Sequence, residues 1–240
     1  MSELKNSFGQ NVGRKLNNWN KVPLPNKDRF VGKYCVLERI SAAKHGHELY
    51  NAYSEAPDER DWTYLPLGPF DNEESYQSFL LENERMSDPL HYAVIDKISG
   101  KPAGTVALMR MDATNGVIEI GYVIYSPRMK RTRISTEVVA ILLKYVFEEL
   151  GYRRVEWKCD SLNAASRNAA ERFGFKLEGV FRQAMVNRGR NRDTAWYSLI
   201  DGQYHNVRMS YERWLSSDNF DENGHQREKL KDIIERSHHD

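Results

Sequence analysis

Between residues 91 and 150 the spacing of apolar residues changes once, and that change limits the folds open to the chain. Residues 91–98, 103–111 and 117–125 are rich in β-branched and aromatic side chains. The tight-turn segments Ser99-Gly100-Lys101 and Asn115-Gly116 separate them, which describes an antiparallel meander. From residue 132 to 150 the period becomes helical. Ile134, Val138, Ile141, Leu142, Tyr145 and Val146 recur at three and four, and Gly151 ends the run. A meander feeding a long amphipathic helix points to a mixed sheet in one α+β domain, mostly antiparallel and flanked by helices.

The flanking segments fit that plan. Residues 33–40 alternate as a strand, and Ser41 caps a helix reaching about residue 53. An aromatic loop with Trp62 and Tyr64 is kept from helicity by Pro66, Gly68 and Pro69. Asp71 and Glu74 form a capping pair for a helix to about residue 86. Beyond the long helix come a strand at 154–159, a helix at 163–173 stopped by Gly174, and strands at 176–182 and 194–200 around a loop at 187–193. A helix at 204–215 closes the fold. The resulting division is an irregular arm at 1–30, a domain at 31–215 and a charged tail at 216–240, where Leu230, Ile233 and Ile234 are spaced for one weak helix.

Composition excludes several function classes. The 240 residues are 40% hydrophobic and 11% aromatic, enough for a core. Lys+Arg 35 against Asp+Glu 34 gives a net charge of +1, which argues against nucleic acid as a partner. The longest apolar run, residues 138–143, falls far short of a membrane span, and the opening residues lack an apolar leader, so a cytoplasmic protein without a membrane partner is expected. Cys35 and Cys159 read as free thiols in a reducing compartment, Cys159 as a packed one. His47-Glu48 lacks a second histidine at metal-ligand spacing, and no metal is expected. The glycine-rich signatures of dinucleotide and triphosphate sites are missing.

The segment 125–137 carries the chemistry. A strand ends, a proline-led turn follows, and a helix opens amid Arg128, Lys130, Arg131 and Arg133. Unpaired amides and the positive end of a helix dipole favour an anion there, with the Thr132 hydroxyl as a cap or phosphate ligand; a solvated basic loop is the alternative. By the period of two, Val117, Glu119, Gly121, Val123 and Tyr125 share one face of the preceding strand. A carboxylate among them is desolvated, which makes Glu119 a candidate base, and Gly121 leaves room for a ligand.

Strand, basic turn, long helix, strand and then Asn163-Ala164-Ala165-Ser166-Arg167-Asn168, running on to Arg172-Phe173-Gly174-Phe175 and Leu177-Glu178-Gly179, resemble the GCN5-related N-acetyltransferases. The ending Leu177 to Ala184 is similar to the branch of ribosomal-protein N-terminal acetyltransferases. The resemblance covers roughly residues 30–202. It implies acetyl-CoA as cosubstrate, with pantetheine along Val123, Ile124 and Tyr125. Pyrophosphate would lie on Arg128 and the amides of Arg131, Thr132, Arg133, Ile134 and Ser135. Asn163 and Arg167 are further coenzyme contacts, and Ser166 lies near the sulfur as a catalytic proton donor or positioning group.

The aromatic loop with Trp62 and Tyr64, and the later loop with Asp193, would wall the acceptor site. The expected reaction is acetyl transfer to a small amine or a polypeptide N-terminus in a ternary complex, with Glu119 as base. The alternative is a non-catalytic acyl-CoA-binding domain, and a homodimer is compatible with either. Two departures stand out. Arg131 and Arg133 occupy the glycine positions of the family's turn, so the turn differs locally or binds through arginine forks. Met185 stands where that branch has a carboxylate after the Gln-Ala pair.

Overall fold

The expected meander forms the centre of the sheet. The computed structural model describes residues 4–237; residues 1–3 and 238–240, the outer ends of the arm and tail, lie outside the described residues. A small hairpin, β1 (Leu4–Lys5) and β2 (Asn11–Val12), precedes the main sheet. That sheet contains β3 (Arg29–Val31), β4 (Cys35–Arg39), β5 (Leu90–Asp96), β6 (Pro102–Asp112), β7 (Val117–Tyr125), β8 (Arg154–Asp160), β9 (Lys176–Asn187) and β10 (Arg190–Ile200). Its order is β3-β4-β5-β6-β7-β8-β10-β9. Every neighbour pair is antiparallel except β7 with β8.

Helices cover both faces because successive strand residues turn opposite ways. On β5, Tyr92 and Val94 join the core formed with α3 (Arg133–Lys144), whereas Ala93 joins that of α1 (Ala42–Ser54) and α2 (Glu73–Glu84). The chain after α3 adds α4 (Ala164–Arg172), α5 (Asp201–Trp214) and α6 (Leu230–Ser237). The last turn of the long helix, Tyr145–Glu149, is π-helical, and its closing bond runs from the Leu150 amide to the Tyr145 carbonyl at 3.0 Å.

Several boundaries differ from the sequence reading, each for a local reason. The α2 cap is Asn72 with Ser75, one residue beyond the expected Asp71 and Glu74: Asn72 Oδ1 accepts from the Ser75 amide at 2.9 Å. The expected loop at 187–193 is a tight hairpin turn, with Arg188 and Gly189 at φ +50° and +73°, the left-handed pair that matches strand twist. The arm is anchored to the sheet. Trp19 donates to the Thr114 carbonyl at 2.9 Å, and Tyr145 Oη accepts from the Asn26 amide at 3.1 Å. The charged tail also packs against the core. Phe220, Leu230, Ile233 and Ile234 are buried with α5 while their charged neighbours face out, and Asn219 stitches the segment through the Glu228 amide at 2.9 Å.

One carboxylate fixes the sheet's β3–β4 turn to the helix that opens the site. Glu137, buried on α3, accepts the amides of Lys33, Tyr34 and Cys35 at 2.6, 2.7 and 2.8 Å. Gly32 is required beside it, since a Cβ there would stand 2.5 Å from Glu137 Oε2. Removing the carboxylate takes the acceptor from three amides, two of them partly buried and that of Cys35 fully buried. Glu137→Ala is therefore expected to cost about 3 kcal/mol or more. In thermal unfolding that is a fall of about 6–12 °C for a chain of this size, and a fall below about 2 °C contradicts the assignment.

Candidate active site

A cleft opens where β7 and β8 part. Their parallel register holds for Val117↔Arg154, Ile118↔Val155 and Glu119↔Glu156 and then stops, although both strands continue. Tyr122, at φ +46°, bulges β7 between its pairings with β6 at Gly121↔Ala107 and Ile124↔Thr105. A bulge bends its strand and re-aims the side chains beyond it. The space between the strands, with the turn after β7 and the start of α4, makes a cavity of about 2240 Å³.

That bulge corrects the expected face of β7. Glu119 and Gly121 share one side, but past Tyr122 the sides exchange. Val123 and Tyr125 pack with Ile118 and Ile120 on the α3 side, and Ile124 turns to α1 and α2. Gly121 also serves a neighbour, since a Cβ there would collide with the sulfur of Met109. Val123, Ile124 and Tyr125 still border the cleft along the edge that β8 leaves unpaired.

The basic turn keeps the backbone of a glycine turn without its glycines. Arg131 sits at φ +60°, in the region glycine occupies at low cost. Buried Met129 anchors the turn from below. The hydroxyls of Thr132 and Ser135 are turned away from the helix amides, donating to the carbonyls of Met129 and Thr132, each at 2.7 Å. Thr132 thus caps α3 by position only, and no side chain covers the amides of its first turn. Three of the four basic side chains have protein partners: Arg128 pairs with Glu55, Lys130 with Asp61, and Arg133 stacks 3.9 Å from the Phe220 ring. Arg128 and Lys130 to Ser135 line the cleft. The region presents backbone donors at an uncapped helix start, an arrangement whose dipole favours an anion.

Opposite this turn, Asn163 caps α4 by accepting the Ser166 amide at 3.0 Å. Ser166 Oγ accepts from the Trp157 indole at 3.0 Å and lines the cleft beside Cys159. Sequence reasoning missed Trp157 and also Lys158. The ammonium of Lys158 stands 3.0 Å from Glu119 Oε2, 2.6 Å from Glu156 Oε2 and 3.8 Å from the Trp196 ring. Arg110 Nε lies 3.4 Å from Glu119. Burial raises the Glu119 pKa above the ordinary carboxylate range, with Lys158 and Arg110 pulling against it.

Some expected contacts lie elsewhere. Trp62 is buried between Tyr53, Phe70 and Gly68 and stands outside the cleft. The aromatic loop instead presents Tyr64, which donates to the Leu162 carbonyl at 3.2 Å. Arg167 turns to Tyr197 Oη at 3.2 Å and the Ser161 carbonyl at 3.3 Å; Asn168 and Arg172 line the cleft in its place. Asp193 also lies off the lining. It accepts the amide of Gln183 at 2.7 Å and Asn191 Nδ2 at 2.9 Å, pinning a bulge in β9.

A model of the acetyltransferase (GNAT) domain matches residues 36–176. A crystal structure of a GCN5-related N-acetyltransferase from Brucella melitensis is 45% identical, with 92% of this chain and 100% of that chain covered at a TM-score of 0.90. A probable GNAT-family acetyltransferase from Chromobacterium violaceum ATCC 12472 is 40% identical over 82% of this chain and 98% of its own, with a TM-score of 0.76. A Bacillus subtilis (strain 168) protein bearing the provisional name ribosomal N-acetyltransferase YdaF is 33% identical over 105 residues, 44% of this chain and 57% of that protein. The chain spans little more than half the length of the curated relatives it matches. It belongs to the GCN5-related N-acetyltransferase family.

The left-handed Arg131 gives a test of the turn. Glycine at that position relieves about 1 kcal/mol of backbone strain. Arg131→Gly is therefore expected to raise the unfolding temperature by about 2–4 °C, and a loss of stability contradicts the described turn.

Proposed function

We propose that this chain transfers an acetyl group from acetyl-CoA to a primary amine by direct attack within a ternary complex. The observation that supports the reading is a single cleft joining the uncapped start of α3 to the buried carboxylate of Glu119. The residues present fit the coenzyme: a helix start with free amides for its diphosphate, and an unpaired strand edge at Val123, Ile124 and Tyr125 for its pantetheine amides. When bound, the thioester supplies an activated acyl carbon to the incoming nitrogen.

This chain's residues would do the rest. Glu119 accepts the amine proton through a water, and its raised pKa makes it a better base than an exposed carboxylate. Lys158 and Arg110 keep it ionised despite burial. An amide of the free β7 edge polarises the acyl oxygen. Ser166, oriented by Trp157, directs a proton to the departing sulfur. The acceptor is a small-molecule amine or a polypeptide N-terminus; the provisional name of the Bacillus subtilis relative fits the second.

Glu119→Gln is expected to lower kcat/KM by about 10²–10⁴-fold without weakening acetyl-CoA binding. Because burial raises the Glu119 pKa, the parent enzyme loses activity as pH falls through a value above the usual carboxylate range, and the variant lacks this limb. His91 does not supply the limb, since burial pushes it down to about 4. A variant within about threefold of the parent across pH removes Glu119 as the base. Coenzyme binding with no turnover on any amine would leave a non-catalytic acyl-CoA-binding domain.

A further inference from the structure

The chemistry of the acceptor is written at the far end of the cleft, where β10 leaves two polar groups without partners. Arg192 and Thr194 are two residues apart on that strand and so share a face, with Thr194 directly across from Asp160 of β8. Both line the cleft. Arg192 Nε and Thr194 Oγ1 are sealed from water by the surrounding protein, and neither has a hydrogen-bond partner. Arg192 also makes no ion pair among the described residues. Native proteins seldom leave a buried guanidinium donor without an acceptor, because its desolvation is then uncompensated.

Among the described residues no neighbouring carboxylate pairs with Arg192. Asp160 Oδ1 accepts the Leu162 amide at 2.9 Å, and Glu119 is held by Lys158 and Arg110. Asp193 faces the Gln183 amide and fixes the register shift between Arg192 and Thr194 on the β9 side. Such a shift re-aims the side chain beside it. With Arg110, Lys158 and Arg182 also on the lining, cationic side chains outnumber Glu119 and Asp160 at this end.

We propose that Arg192 and Thr194 form a carboxylate subsite for the acceptor, so that the amine acetylated belongs to a small amino acid. The proposal rests on the reading of this cleft as an acetyl-transfer site. The carboxylate accepts from the outer nitrogens of the Arg192 guanidinium and from the Thr194 hydroxyl once it rotates out of its sealed position, and the amine then extends along the cleft toward Glu119. A diamine would set its second ammonium against Arg192, and an amino alcohol would leave the guanidinium unneutralised.

The test titrates the full chain, saturated with CoA, with glycine, γ-aminobutyrate and ε-aminocaproate, each beside its own carboxamide, and with putrescine. At least one of the amino acids should bind about tenfold tighter than its carboxamide and than putrescine, the gap a charge-assisted contact gives. Arg192→Gln should erase that gap while keeping the melting temperature and the affinity for CoA, and Thr194→Val should narrow it. Equal or tighter binding of the carboxamides or of putrescine, no binding by any probe, or a gap that survives Arg192→Gln would each overturn the subsite. Turnover measured on the same panel separates the two readings. Carboxylate preference without CoA release counts against acetyl transfer alone, and putrescine acetylated better than every amino acid counts against the subsite alone.

Discussion

The β7–β8 ladder stops at Glu119↔Glu156, and the rest of the site depends on that stop. Two adjacent parallel strands that run on unpaired leave polar backbone edges that need partners. They lie in the middle of an eight-stranded sheet, so the gap is walled by folded structure on both sides. Tyr122 in its left-handed conformation sends β7 away from β8, and the turn after it places the start of α3 at the gap. Glu137 then ties that helix to the β3–β4 turn, so the helix start cannot drift from the sheet it serves.

Electrostatics in the cleft divide into two regimes. At the α3 start Arg128 and Lys130 pair with Glu55 and Asp61 and Arg133 lies over Phe220, so the backbone amides and Arg131 are the donors left for an anion. Around Glu119 the charges alternate: Arg110, Glu119, Lys158, Glu156, Arg154 and Glu178 form a chain of close pairs, buried at Glu119, Lys158 and Glu156 and exposed at its two ends. Burial pushes the Glu119 pKa up, while the bonds from Lys158 and Arg154 hold Glu156 below the usual range against its own desolvation. Two carboxylates in adjacent register on neighbouring strands therefore differ in basicity because their partners differ.

Much of the frame was legible because hydrophobic period and turn chemistry agree there. The meander, the long helix, the start of α4 at Asn163 and the burial of Glu119 all follow from local pattern. Features that depend on distant neighbours were not. Tyr122 and Arg131 take left-handed conformations with no glycine to announce them. Lys158 looks like any strand lysine until Trp196 and the two glutamates surround it. Trp62 reads as a loop aromatic for a ligand, yet Gly68 and Phe70 fold back to bury it. In the C-terminal segment the charges outnumber the apolar residues that hold Phe220 and α6 in the core.

Hydrogen exchange of the full chain with and without acetyl-CoA reads whether the coenzyme lies across the uncapped helix start and the open edge of β7. Exchange should slow at the first amides of α3, Arg133, Ile134 and Ser135, and along the free edge of β7 from Val123 to Tyr125, with the β3–β4 turn unchanged. Unaltered exchange at the α3 start under saturating acetyl-CoA would contradict that placement.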